Sequence, residues 1–350
     1  MARVVLLSAT AANDDNGEHL RPWRGLQESA AADRFGLHGL TDDPEVADAI
    51  IFAESYGAGW HFERVRAHEF TRLYREKCFI FSSNPLVIPF LPGVYSSLGW
   101  RWGSTRTVGG FYVGQPPNEF TTYSPPESDL PYLYSFMGST GNAAVRPNLA
   151  RLAHPRSSFQ DTSADFARLL RWEMSPRERR DYHRRYAELT KASKFILCPR
   201  GLSCSSIRLF ETMRMGRVPV ILSDDWLPPH GPCWEKFVVR VREKKFWQVP
   251  RILEEREEEA VVMGKLARAQ WEDWFSEEAA FHRVVEWCLE LKLRRLIPEK
   301  VACWPVYLHY LRPFHFRRLM KRKLGEAGVG AQAGVPEEAA TELGEQRLPP

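Results

Sequence analysis

The stretch Phe195-Ile-Leu-Cys-Pro-Arg-Gly-Leu-Ser-Cys-Ser-Ser-Ile-Arg-Leu-Phe-Glu-Thr-Met-Arg-Met-Gly-Arg-Val-Pro-Val-Ile-Leu-Ser223 decides the reading of this chain. Residues 195–197 form an apolar run stopped by Pro199 and Gly201. Ser205 and Ser206 are suited to cap a helix, Leu209, Phe210 and Met213 recur at helical spacing, and Gly216 ends it. Residues 218–222 are a second buried run, so the order is strand, polar turn, helix, strand. The turn carries Arg200 and Arg208, with Glu211 one helical turn further on. Backbone N–H groups at a helix start are unpaired and sit at the positive end of its dipole. Two forked guanidinium groups beside them suit phosphate oxygens. Gly201, Ser205 and Ser206 are therefore expected to cradle a phosphorylated ligand.

Outward from this unit, residues 4–7, 49–53 and 79–81 are short runs of Val, Ile, Leu, Ala and Phe, the mark of strands buried on both faces of a parallel α/β sheet. Residues 63–77 fit an amphipathic helix through Val65, Phe70, Leu73 and Tyr74. Residues 84–131 are rich in Pro and Gly and predict irregular loops with a short hairpin at 107–113. A second α/β unit is expected to open with a strand at 132–136, turn at 138–142 and enter a helix at 143–153. Gly138 and Arg146 then form a second candidate phosphate seat, the alternative being a tight turn with an exposed arginine. Residues 175–193 predict a charged helix, 234–241 a strand and 246–296 further helices. Asp224 follows a strand at the end where α/β sheets place ligands, and would either meet a ligand or cap the next turn.

The predicted organisation is an N-terminal domain over 1–128, a C-terminal ligand-holding domain over 129–300, a terminal helix with a basic segment over 301–323 that packs back on the first domain, and a disordered tail over 324–350. With 350 residues, 44% hydrophobic and 26% charged, the chain has the composition of a globular protein. A net charge of +4, from 48 basic and 44 acidic residues, carries no sign of nucleic acid as a partner. Six scattered cysteines without a Cys-x-x-Cys pair fit reduced thiols. There is no signal-peptide pattern and no apolar stretch approaching the ~20 residues of a membrane span, so a cytoplasmic protein is expected. The basic residues between Arg312 and Lys323 are where anionic lipid would be met at the membrane periphery.

The central stretch also resembles the exostosin-like glycosyltransferases. The matching residues are Phe195-x-Leu-x-Pro-Arg-Gly, Ser206-x-Arg-Leu-Phe-Glu211, Gly216-x-Val-Pro-Val-Ile-Leu-Ser-Asp224, Trp234-x-x-Phe-Val-Val and Glu243. Phe90-Leu-Pro-Gly-Val-Tyr-Ser-Ser-Leu98 and Tyr134-Ser-Phe-Met-Gly138 followed by Val145-Arg146 extend it. The resemblance implies two facing Rossmann-like domains with parallel sheets and an interdomain cleft, the GT-B arrangement. It also implies an inverting transferase using a nucleotide-diphosphate sugar, with UDP-sugars favoured, and a carbohydrate acceptor.

Under that reading Arg200 and Arg208 stabilise the diphosphate leaving group, whereas the bland role for Arg208 is an i,i+3 ion pair with Glu211. Glu211 would accept ribose hydroxyls and Asp224 the donor sugar's hydroxyls. No Asp-x-Asp follows a strand, so neither metal nor other cofactor is expected, and arginines stand in for the cation. Candidates for the general base come from loops of the first domain: Asp14, Asp15, Glu18, His19 and Glu54. Trp100 and Trp102 have two open roles, stacking on a sugar ring or buried packing. A non-catalytic nucleotide- or glycan-binding protein on the same scaffold is the alternative function.

Overall fold

The computed structural model describes residues 1–10, 19–84, 88–114, 118–311, 316, 317, 319 and 320. Asp14, Asp15, Glu18, the tail over 324–350 and most of the basic segment between Arg312 and Lys323 lie outside the described residues.

The first sheet is wholly parallel. It joins β1 (Ala2–Leu7), β2 (His38–Leu40), β3 (Ala49–Glu54), β4 (Cys78–Ser82), β5 (Gly93–Tyr95) and β6 (Thr107–Gly109) in the order β2-β1-β3-β4-β5-β6. Its crossovers carry α1 (Arg21–Ala31), α2 (Glu63–Ala67) and α3 (Glu69–Leu73). The single helix predicted over 63–77 is broken at His68, whose backbone turns extended and whose Nδ1 accepts the N–H of Phe70 at 3.1 Å to cap α3. The hairpin predicted over 107–113 is not formed. Val108 pairs in parallel with Val94, and the chain then leaves the sheet to bury Phe111 against Phe81, Phe210, Phe275 and Trp287.

The second sheet is also parallel, in the order β11-β10-β9-β7-β8, from β7 (Tyr132–Gly138), β8 (Ser157–Asp161), β9 (Ser193–Pro199), β10 (Val218–Leu222) and β11 (Val239–Arg240). Its helices are α4 (Val145–Leu149), α5 (Ser163–Leu170), α6 (Pro176–Lys191), α7 (Ile207–Arg214), α8 (Val249–Glu255), α9 (Ala260–Trp274) and α10 (Ala280–Leu293). Ser175 and Glu178 start α6 with a reciprocal capping box. The strand predicted over 234–241 shrinks to two residues, because Trp234 turns inward against Trp226 and Phe237 and its indole N–H donates to the Pro229 carbonyl at 2.9 Å.

Residues 1–296 form one compact unit containing both sheets, and the described residues from 297 onward belong to a second. The second unit begins with α11 (Glu299–Ala302) and α12 (Trp304–Tyr307). Within the first unit one apolar core runs through both halves, from Val4, Ile51, Phe81 and Val94 to Met213, Phe237, Trp271 and Val285. The return to the first sheet is made by α10, inside the stretch read as the C-terminal domain: it packs on α1, β3 and β5, and the N–H of Phe281 donates to Ser29 Oγ at 2.8 Å. Eight of its 14 residues are buried, which leaves it no stable alternative to a face on each side. All six cysteines are free, and no helix among the described residues is long and apolar enough to cross a membrane.

Candidate functional site

The site grows from the carboxyl ends of β7, β9 and β10. β9 ends at Pro199, which closes the ladder and sends the chain through 200–206 into α7. The loop is held closed by the Gly201 N–H on the Ser205 carbonyl at 3.1 Å and the Ser223 hydroxyl on the Cys204 carbonyl at 2.6 Å. Ser206 takes the N-cap position in extended conformation, yet its side chain makes no cap hydrogen bond. The first N–H groups of α7 are therefore open to another acceptor. At the other end Gly216, at φ +75°, gives the left-handed residue that terminates α7, and a Cβ there would meet Tyr123 at 2.7 Å.

Arg208 lies on the first turn of α7 and bridges to the end of β7. Its Nη2 donates to the Met137 carbonyl at 2.6 Å, and the guanidinium lies over the rings of Phe136 and Tyr186 at 5.0 and 5.8 Å. Its Nε is buried with no partner. Gly138 is explained by this crossing, since a Cβ there would sit 2.3 Å from Arg208 Nη2. The i,i+3 ion pair between Arg208 and Glu211 is not among those formed by the described residues. Glu211 is half-buried instead, and burial pushes its carboxyl up from the ordinary value, opposed by the nearby Arg208. Tyr186 beside it is pushed well up, by burial first and then by the Glu211 charge.

Arg200 is engaged differently. Its Nε donates to Glu243 Oε2 at 3.0 Å, while Glu243 and Asp224 exchange two hydrogen bonds of 3.2 Å, each backbone N–H to the other's carboxylate. Asp224 is exposed and, with Trp100, Ser223, Arg240, Val241 and Arg242, lines a cleft of about 630 Å³. Glu243 thus organises the ends of β9 and β10, a role its place in the sequence, 43 residues past Arg200, does not announce.

Arg146 departs from the expected ligand-facing role. It is 5% exposed, and it donates from Nε to the Arg200 carbonyl at 2.8 Å, from Nη1 to Ser139 at 2.8 Å and from Nη2 to Pro199 at 3.3 Å. It clamps the β7 and β9 loops together. Burial, and then the charges of Arg208 and Arg200, pull its guanidinium down to about 9. At neutral pH it stays charged, so Arg208 and Arg200 repel it across the ends of β7 and β9.

The first sheet reaches this site through residues 97–102. Ser97 Oγ accepts the Ser205 N–H at 3.0 Å, Gly99 bridges Trp226, and the Trp100 N–H donates to the Asp225 carbonyl at 2.8 Å. Trp100 is 56% exposed at the cleft, so it does not take the buried role, whereas Trp102 packs against the core that includes Ile50 and Tyr95. Of the base candidates, Glu54 is fully buried at the end of β3. It accepts from the Ala9 N–H at 2.5 Å, Ser8 Oγ at 3.0 Å and Thr10 Oγ1 at 2.9 Å, and burial raises its carboxyl above the ordinary value. Among the described residues it is not brought together with Arg200 or Arg208.

Fold and site together define a class: a parallel α/β protein of two sheets, with a cationic cluster at the carboxyl ends of its second sheet, where such folds place ligands. Residues 115–256 match the Exostosin GT47 domain, so on this segment the chain is similar to the exostosin-like glycosyltransferases. It is 38% identical over 80 residues to an Exostosin-1 homolog of Caenorhabditis elegans, covering 22% of this chain and 21% of that protein. Ribitol-5-phosphate xylosyltransferase 1 of Danio rerio is 30% identical over 107 residues, 31% of this chain and 23% of its own length. The chain thus spans about a fifth of the length of these curated relatives. Among solved structures it is similar to Acinetobacter baumannii MurG, at 11% identity and a TM-score of 0.40 over 83% of this chain and 100% of the other.

Proposed function

We propose that the chain is an inverting glycosyltransferase that moves a sugar from a nucleotide-diphosphate sugar, UDP being the nucleotide the family resemblance favours, to a carbohydrate hydroxyl. The observation that carries this reading is the guanidinium cluster: Arg146, Arg200 and Arg208 gather at the ends of β7 and β9, where Arg146 is repelled by the other two, Arg200 is paired with Glu243 and Arg208 lies near Glu211. A diphosphate at the start of α7 relieves that repulsion and meets open backbone N–H groups.

In the reaction the acceptor oxygen attacks the anomeric carbon on the face opposite the diphosphate. The bond from that carbon to the phosphate oxygen breaks, and the negative charge that develops on the diphosphate is stabilised by Arg208, Arg200 and the α7 N-terminus. Preorganised donors of this sort contribute ~3–4 kcal/mol each. With that charge met by arginines, the mechanism we propose uses no metal at the diphosphate. Glu211 takes the ribose hydroxyls and Asp224 the hydroxyls of the transferred sugar. Trp100 presents an exposed aromatic face to the acceptor side of the cleft. The acceptor proton leaves to a group on the loops ending the first sheet's strands.

The test is thermal shift and calorimetry with UDP, GDP, CDP and ADP, with and without EDTA, on the wild type and Arg208→Lys, followed by turnover assays with the matching sugar nucleotides. Binding of one nucleotide, insensitive to EDTA and weakened in the variant, together with a kcat/KM lowered by ~100-fold, is expected. Binding without turnover on any carbohydrate acceptor would instead mark a non-catalytic nucleotide-binding protein. Absence of binding by all four would remove the donor assignment.

A further inference from the structure

At the far edge of the first sheet, β2 meets α10 through two histidines and a glutamate. His38 stands on β2, while His282 and Glu286 are four residues apart on α10 and so share one helix face. One ligand atom from each of the three lies within 4.8 Å of the other two. The His38 side chain is 4% exposed and His282 is 5% exposed, whereas Glu286 is 49% exposed.

The ring nitrogens of these histidines are unusually bare. Both nitrogens of His38 and Nδ1 of His282 are buried without a hydrogen bond, although His38 Nε2 lies 2.8 Å from Glu286 Oε1. A buried polar atom left without a partner costs about 1–3 kcal/mol. The rings are held by stacking instead: His38 on His282 at 5.0 Å, and His282 on Phe35 at 4.1 Å. Two preoriented imidazoles with unused lone pairs and a carboxylate that reaches solvent make an N₂O donor set, which suits zinc-class transition ions better than magnesium or calcium.

We propose that His38, His282 and Glu286 bind one divalent transition ion of the zinc class. The ion takes one nitrogen from each imidazole, and the exposed side of Glu286 leaves a fourth position to water. Arg34 and Arg283 are near, but Arg34 is paired with Asp273 at 2.7 Å, and Arg283 lies over Trp274 at 4.0 Å. The three residues stand outside the guanidinium cluster and have no part in the proposed transfer reaction. It ties the helix that returns from the second half to the edge strand of the first, so its role is to lock the fold.

Tag-free full-length protein, stripped with chelator and exchanged into chelator-free buffer, should be titrated with Co²⁺ by absorption spectroscopy and with Zn²⁺ by calorimetry. One ion per chain, ligand-field bands of low-symmetry Co²⁺ and a raised thermal midpoint are expected. Glu286→Gln, a substitution at a half-exposed position, should weaken binding ~10-fold or more, His282→Ala should abolish it, and Cys233→Ser should leave it unchanged. No saturable binding overturns the proposal. So does binding that survives Glu286→Gln undiminished or disappears in Cys233→Ser. If His282→Ala fails to fold, the Glu286 variant alone decides.

Discussion

At the carboxyl ends of its first sheet this molecule gathers hydroxyls and one buried carboxyl, from Ser8, Thr10, Glu54, Ser82 and Ser96; at the same ends of its second sheet it gathers guanidinium groups, from Arg146, Arg200 and Arg208. The sheets are built alike, parallel and buried, so the backbone does not distinguish them. The side chains at the strand ends do. One end set closes on itself: Glu54 is satisfied by its own neighbours, and the Ser96 hydroxyl donates to the Ser82 carbonyl at 2.8 Å. The other carries charge in excess of what its neighbours neutralise. A scaffold used twice thus yields one self-contained face and one that favours an anion.

The sharpest way to break this contrast is to remove the buried member of the cationic set. Arg146→Ala leaves three carbonyls without charged donors and should cost about 3 kcal/mol of stability, measured by urea denaturation, with nucleotide affinity falling as the two loops part. Arg208→Lys should do the opposite, lowering turnover while the denaturation midpoint stays close to the wild type. If the two variants behave alike, the division between clamp and ligand arginine is wrong. Next in size, Gly138→Ala pushes a methyl into the Arg208 guanidinium and should lower kcat/KM ~10-fold or more, with the fold intact by circular dichroism.

On the first sheet the expected effect is smaller and has a pH signature. The folded-state pKa of Glu54 is raised above 4.5, so its contribution to stability is present below that value and is lost as pH rises through the folded pKa. Glu54→Gln, fixed in the neutral form, should therefore gain on the wild type as pH climbs from 4.5 toward neutrality, read as the difference between their unfolding free energies. A difference that shrinks with pH would mean that Ser8, Ala9 and Thr10 favour the carboxylate more than burial opposes it. Smallest of all, Trp100→Ala should raise the acceptor KM a few-fold and leave nucleotide affinity unchanged, because Trp100 reaches the cleft from the first half of the chain.

The sequence was most readable where apolar runs are unbroken. β1, β3, β4, β7, β9 and β10 each coincide with such a run, and burial on both faces is what produces it. β8, Ser-Ser-Phe-Gln-Asp, and β2, which begins at His38, are edge strands, and their half-exposed residues carry no apolar signal. At the site, Arg200, Arg208, Glu211 and Asp224 were legible because one strand-helix-strand unit supplies them all. Glu243 and Trp100 are legible without their partners, because Asp224 and Arg200 for the one and the Asp225 carbonyl for the other are contacts between distant segments, and Ser97 meets Ser205 in the same way. Arg146 is ambiguous in sequence for a related reason: a basic residue after a glycine turn reads the same whether its donors face solvent or carbonyls.

The hydrogen bond between Phe281 and Ser29 spans 252 positions of chain. During synthesis the amino-terminal sheet emerges long before α10 exists to cover it, so β3, β5 and α1 wait with an apolar face uncovered for most of translation. A ribosome-bound nascent chain halted before residue 280 should accordingly be protease-sensitive throughout its first hundred residues and prone to capture by chaperones, and should gain protection in a single late step.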